Sequence, residues 1–237
     1  MERKTISAPP RVGDEDLMTS KPGSGAESLV QIKKFLPSDI LETYEVYSYK
    51  HAAALLSTSA PAELEEIMES LRHLQISRSW IQSSGGNESQ IPKALSKILR
   101  PCGWYETRIK CDLLVTLEIH KETIIRETNI RANFVDGHKI DYLKNSVAFD
   151  FEWNSKDQTF DRDLMAMRSF HENGVIIGGI IITRGEDLNN EFRQLGIMSK
   201  YGASTTWIGK LLSRLDAGRN GACPILAVGI TRKLLTD

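Results

Sequence analysis

The chain has little that would brace it covalently. Only three of its 237 residues are cysteine, Cys102, Cys111 and Cys223. The count is odd and no CxxC pair occurs, which argues against a disulfide framework or a zinc site and fits a reducing, cytoplasmic setting. No apolar run reaches the ~20 residues of a membrane helix, and the N-terminus lacks an apolar signal core. No membrane partner is expected. The five histidines show no metal spacing with another ligand type. No nucleophile elbow surrounds Ser204-Thr205, and Gly178-Gly179 lies in an apolar strand, not in a phosphate loop. Neither sign of charge prevails: 30 basic and 31 acidic residues leave a net −1. That balance neither announces nor excludes a nucleic-acid partner, since local patches decide.

What remains is ordinary: 41% hydrophobic and 26% charged residues, in a length suited to one domain with a sizeable core. Residues 1–28 are rich in Ser, Pro, Gly and charge, and read as a flexible arm. Residues 29–237 read as one domain, helical to about residue 100 and strand-rich after Gly103. The helical part begins with a helix from Asp39 toward Leu56, with Ser38 as cap. A second starts at Pro61 and carries the stripe Leu64, Ile67, Met68, Leu71 and Leu74. A loop at Ser83-Ser84-Gly85-Gly86-Asn87 precedes a short helix, Pro92 to Leu99. Then come strands at Leu113–Ile119 and Thr123–Ile125, a helix from Phe160 to His171 and an apolar strand from Val175 to Thr183. A helix from Glu186 to Leu195, a basic helix from Trp207 to Leu215 and a strand from Pro224 to Ile230 complete the pattern. Helices, antiparallel strands and then β-α-β alternation indicate an α/β fold, a central mixed β-sheet flanked by helices.

The centre of the chain is Ile140 to Asn154. Val147, Phe149, Phe151 and Trp153 alternate with Ala148, Asp150 and Glu152, so a strand places the first set on one face and the acids on the other. The two acids lie about 7 Å apart along the strand. A turn at Lys144-Asn145 folds Asp141 back beside them. Clustered carboxylates repel and call for a cation or protons. Hard oxygen ligands suit Mg2+. A solvated edge strand has the same period, so the pattern alone leaves both readings open.

Asp141, eight intervening residues, then Asp150-Phe151-Glu152-Trp153-Asn154-Ser155 resembles the active-site segment of the BglII and BamHI branch of the PD-(D/E)XK type II restriction endonucleases. Val175 to Gly185 resembles the branch's central strand, one helix after the acids. Trp104-Tyr105-Glu106 resembles an upstream segment that carries a fourth active-site residue. The resemblance covers roughly residues 100–185. It implies a restriction-endonuclease-like core, with residues 29–100 as a possible dimerisation part and 101–237 as the catalytic and DNA-binding core. It implies Asp141 and Asp150 as Mg2+ ligands with the Phe151 carbonyl, Glu152 as the group handling the attacking water, and Glu106 as an accessory. Two departures stand out. Asp150 is one methylene shorter than the common Glu, and Glu152 replaces the lysine frequent in the wider superfamily.

The resemblance further implies a homodimer that cuts double-stranded DNA at a short palindrome, leaving 5′-phosphate and 3′-hydroxyl ends. The helices between Ser38 and Leu74 are its candidate interface. Asn154, Ser155 and Lys156 follow the catalytic strand and are the first candidates for base contacts. Lys200, Ser204, Thr205, Thr206 and Lys210 form a second DNA-binding candidate, continued by Arg214 and Arg219. A polar turn and an ordinary helix start explain the same residues. Asp161-Arg162-Asp163 reads as the acidic first turn of a helix with a local ion pair. A repair nuclease of the same superfamily and a non-catalytic DNA-binding module with the same fold are the alternatives.

Overall fold

The computed structural model describes residues 23, 25–83, 90–202 and 204–237. Most of the expected arm, residues 84–87 of the expected loop and Ala203 lie outside the described residues.

The elements in chain order are α1 (Leu29–Ile32), α2 (Ser38–Thr43), β1 (Tyr44–Tyr49), α3 (Ala52–Ser59), α4 (Pro61–Arg72), β2 (Ile76–Ser77), α5 (Arg78–Gln82), α6 (Gln90–Leu99), β3 (Tyr105–His120), β4 (Ile124–Lys144), β5 (Val147–Glu152), α7 (Thr159–Glu172), β6 (Gly178–Arg184), α8 (Leu188–Gln194), α9 (Ile208–Asp216), β7 (Ile225–Ile230) and β8 (Leu235–Thr236). Six strands form the main sheet in the order β1-β7-β6-β5-β4-β3. The β5-β6 and β6-β7 pairs are parallel; the other pairs are antiparallel. This is the mixed sheet flanked by helices that the element order indicates.

The expected helix from Asp39 to Leu56 is the main correction. Its middle is β1, bounded by α2 and α3. Tyr44 to Tyr49 are rich in aromatic and β-branched residues, which suit a pleated surface. Antiparallel pairing of Tyr44 with Ile230 and of Tyr49 with Ile225 makes it the sheet edge. Lys50 and His51, both at positive φ, turn the chain into α3.

Two cores cover the two faces of the sheet. One joins Leu56 of α3, Ile67 and Leu71 of α4, Leu95 of α6 and Phe192 of α8 to Val147, Phe149, Phe151 and Trp153. The other joins Leu164 and Met167 of α7 and Leu211 and Leu215 of α9 to Ala148, Ile181 and Ala227. Strand β5 is buried along its whole length, as a central strand must be. Gly179 lets α7 approach: a Cβ there would meet Met167 Sδ at 2.4 Å. Asn145, at φ 48, makes the tight β4-β5 turn. The Lys144 ammonium on Glu66 Oε1 at 2.5 Å, and Trp104 Nε1 donating to Glu66 Oε2 at 2.8 Å, fasten that turn to α4.

Candidate active site

Strands β4 and β5 bring the three acids together. Tyr142 pairs with Phe149, so the next position places Asp141 beside Asp150. There the ladder gives way: the Asp141 amide donates to Asp150 Oδ1 at 2.8 Å. Asp150 and Glu152 point toward α7, and only 3% and 5% of their surfaces are exposed. Asp141 keeps solvent contact. The alternation therefore sorts the faces as read, but neither face of β5 is solvated.

Helix α7 adds a fourth carboxylate, Asp163, with 3% of its surface exposed. Arg162 Nη2 bridges Asp163 Oδ1 at 3.0 Å and Glu152 Oε1 at 3.7 Å. The local ion pair expected of Asp161-Arg162-Asp163 is present, but it also reaches Glu152. Asp163 lacks a sequence signal of its own; only the packing of α7 on the acidic face of β5 brings it in. Asp150 Oδ2, Glu152 Oε2 and Asp163 Oδ2 are buried without a hydrogen-bond partner.

These acids hold their protons more tightly than free carboxyls. Burial raises Asp150, and the charges of Asp141 and Glu152 add to it; the Asp141 amide opposes the rise. Burial also raises Glu152, against a hydrogen bond from Ser155. Asp163 is raised by burial and by the charges of Asp150 and Glu152. Partial desolvation raises Asp141, against the attraction of Arg162. A buried, mutually repelling carboxylate set with lone pairs that accept no hydrogen bond is stabilised by a proton or a cation.

The donor set fits a hard divalent cation: carboxylate oxygens with unused lone pairs beside an acid open to water. Among the described residues, no three His, Cys, Asp or Glu side chains close around a metal-sized point. Magnesium does not require such closure, since it is ordinarily held by one or two carboxylates with water and phosphate. Phe151 buries its side chain in the opposite core. Glu106 lies outside the buried group but close to Asp141, whose carboxyl its charge helps to raise. It is exposed, and Lys139 Nζ binds its Oε1 at 2.8 Å and lowers its pKa.

The two DNA-facing candidates meet next to the acids. Asn154, at φ 59, turns the chain out of β5. The Ser155 amide donates to Thr206 Oγ1 at 3.1 Å, and the Thr206 amide donates to the Ser155 carbonyl at 2.8 Å. Lys156 bridges Thr205, and the Asp157 amide reaches the Ser204 carbonyl at 2.9 Å. Ser204 and Lys156 are exposed, Asn154, Ser155, Thr205 and Lys210 are half-buried, and Thr206 is fully buried. Beneath them lies Arg184, with no exposed surface. Its Nε donates to the Thr206 carbonyl at 2.8 Å and its Nη2 to Thr205 Oγ1 at 2.7 Å. Its guanidinium lies near the rings of Tyr201 and Phe192. Arg184 is a structural residue that sequence reasoning did not single out.

Other basic candidates are already engaged. The Lys200 ammonium donates to the carbonyls of Ile81 and Ser83. Arg214 binds Asp157 and Asp161, and Arg219 binds Asp161. Arg214 is largely enclosed in its ion pairs, whereas more than half of the Arg219 side chain stays exposed.

The family model for restriction endonuclease BglII/BglIII matches residues 44–230. The chain belongs to the restriction endonuclease BglII/BglIII family. The match runs from the first residue of β1 to the last of β7, so it takes in the whole six-stranded sheet. It reaches well beyond residues 100–185, where the motifs concentrate. No curated protein matches the chain. Membership makes it a type II DNA-cleaving enzyme by family, and a divalent metal is general in that family. Among the described residues, no helix is long and apolar enough to cross a membrane.

Proposed function

We propose that the protein is a homodimeric, Mg2+-dependent type II restriction endonuclease that hydrolyses phosphodiester bonds of double-stranded DNA at a short palindrome, leaving 5′-phosphate and 3′-hydroxyl ends. The observation that carries this reading is the meeting of Asp141, Asp150 and Glu152 at one end of the sheet, with buried carboxylate oxygens left unpartnered. A two-fold dimer matches the symmetry of a palindrome.

Asp141 and Asp150, with the Phe151 carbonyl, would hold the metal. Bound there, Mg2+ supplies acidification of water and neutralisation of charge at phosphorus. Glu152 orients the attacking water and takes its proton, and Ser155 fixes the Glu152 carboxylate through its hydrogen bond. Arg162, which reaches Glu152 and Asp163 from a largely exposed position, holds that pair in place and adds positive charge near the scissile phosphate. Asp163 takes the position of an accessory acid in preference to Glu106, because it faces Glu152 from within the buried group. Asn154, Ser155 and Lys156, with Ser204 and Thr205, present the surface for DNA; Lys210 lies at the start of α9 beside them. Thr206 supports that surface from below, and Lys200 anchors its far end.

Incubation of the purified protein with phage DNA and Mg2+, followed by end mapping, tests the reading. Discrete fragments with 5′-phosphate ends at one repeated sequence are expected. Cutting that follows DNA structure instead of sequence indicates a repair nuclease. DNA affinity without cleavage in Mg2+ or Mn2+ indicates a non-catalytic module.

A further inference from the structure

The register of the main sheet lines up one row of residues across four strands. Glu152 of β5 pairs with Thr183 of β6, Thr183 with Gly229 of β7, and Gly229 with Glu45 of β1. Paired positions of neighbouring strands share a face, and so do residues two or four apart along a strand. Ala148, Ile181 and Ala227 of the same strands pack in the core under α7 and α9. The row therefore lies on the face that carries the acids, and it runs from the candidate active site to the sheet edge.

Thr183 is the odd member of this row. It has no exposed surface, and its Oγ1 has no hydrogen-bond partner. Ile180, Ile181 and Ile182 precede it in the strand, and the site suits an apolar β-branched side chain. Valine has the same shape without the hydroxyl. Burying a hydroxyl that bonds to nothing costs stability. Packing alone gives no reason for it.

The adjacent strand supplies one. Neighbouring strands lie about 5 Å apart. Glu152 Oε2 is also buried and accepts no hydrogen bond, while Oε1 faces Arg162 Nη2 at 3.7 Å. Thr183 thus carries an unused donor beside an unused carboxylate oxygen. Glu45, the other acid of the row, is one strand farther away. It lies over Gly229, where a Cβ would meet its Oε2 at 3.4 Å, and its Oε1 accepts the Glu186 amide. Hydrogen bonds to a catalytic group are often long in a free enzyme and close when substrate is bound.

We propose that Thr183 is a positioning residue for Glu152: in the DNA-bound enzyme its hydroxyl donates to Glu152 Oε2 and fixes the carboxylate that orients the attacking water. This role rests on the nuclease reading above and adds to it a residue from the strand behind the acids.

Two variants separate the hydroxyl from the shape. Thr183→Val keeps the shape and removes the donor; Thr183→Ser keeps the donor. In melting curves of the free chain, Thr183→Val is expected to match the wild type or exceed it by up to about 4 °C, because an unpartnered buried hydroxyl is lost. Single-turnover cleavage in Mg2+ is expected to slow about tenfold in Thr183→Val, with DNA affinity in Ca2+ unchanged, and to stay within about threefold of the wild type in Thr183→Ser. In a Glu152→Leu chain, Thr183→Val should add a loss of less than about threefold, since the group it positions is gone. A Thr183→Val chain that melts well below the wild type has lost a bond already made in the free fold, and overturns the proposal. Undiminished cleavage by Thr183→Val, an equal loss in Thr183→Ser, or a full further loss in the Glu152→Leu chain does the same. Each of these leaves the nuclease reading standing when the wild type cuts. A wild type that cuts no DNA removes that reading, and the role of Thr183 with it.

Discussion

The Ser155 amide donates to Thr206 Oγ1 at 3.1 Å while the Thr206 amide donates to the Ser155 carbonyl at 2.8 Å. Two loops separated by 51 residues are thereby joined at the end of the strand that carries Asp150 and Glu152. Ser155 also hydrogen-bonds Glu152. A change at Thr206 is therefore expected to reach Glu152 through one residue. Thr206→Val keeps the shape and removes the acceptor, at a cost of about 1 kcal/mol. The expected result is a melting temperature lower by about 2–4 °C and a larger loss in cleavage, about tenfold at the preferred site. Unchanged single-turnover rates would count against the link.

Glu152 stands where the wider superfamily often has lysine, so its role needs a direct test. Glu152→Leu is expected to lower cleavage in Mg2+ by at least about tenfold, and by about 100-fold where Glu152 acts as a general base. DNA affinity in Ca2+ should be retained. Glu106→Ala provides the contrast: its exposed pair with Lys139 should change cleavage by less than about threefold. A larger loss at Glu106 than at Glu152 would reverse the two assignments.

Arg184 is buried without a carboxylate partner, and burial works against its charge. It is retained in that position by its two donors to Thr205 and Thr206 and by two aromatic rings. Lysine cannot supply the planar fork. Arg184→Lys should lose about 2 kcal/mol and lower the melting temperature by about 4–8 °C. The loop between Lys200 and Lys210 should become more open to trypsin, a readout that requires no DNA. Equal digestion of variant and wild type would sink the idea.

The acidic hairpin was legible because it depends on local periodicity. The alternation of Val147, Phe149, Phe151 and Trp153 with Asp150 and Glu152 gives the two faces, and the turn at Asn145 returns Asp141 to them. Contacts set by distant packing were not legible. Asp163 joins the site only because Gly179 lets α7 lie close to the sheet. Arg184 reads as an ordinary strand end until Thr205 and Thr206 close over it. Between Asp39 and Leu56 the difference is local: Tyr44 to Tyr49 favour a strand by composition but lack the strict alternation that would mark it off from the helices on either side.

Glu45, on that same strand, should make stability depend on pH. Its Oε1 accepts the Glu186 amide at 2.8 Å, and its Oε2 is buried without a partner. Burial, assisted by the charges of Asp187 and Glu186, pushes its carboxyl up from 4.5 to about 7. The folded chain thus holds a proton that the unfolded chain has released. The stability it contributes is complete below about pH 4.5 and is lost as the pH rises through about 7. Glu45→Gln keeps an acceptor for the amide and removes the titration. Between pH 5 and pH 8.5, roughly the span of this titration, the wild type should therefore lose about 2–4 °C more of its melting temperature than the variant, the shift that ~1 kcal/mol produces in a chain of this size. Melting curves without metal ions measure it directly. Since Glu45 lies on the far edge of the sheet from Asp150, added Mg2+ should leave the difference between the two proteins unchanged. Parallel pH profiles would show that Glu45 is already ionised in the fold.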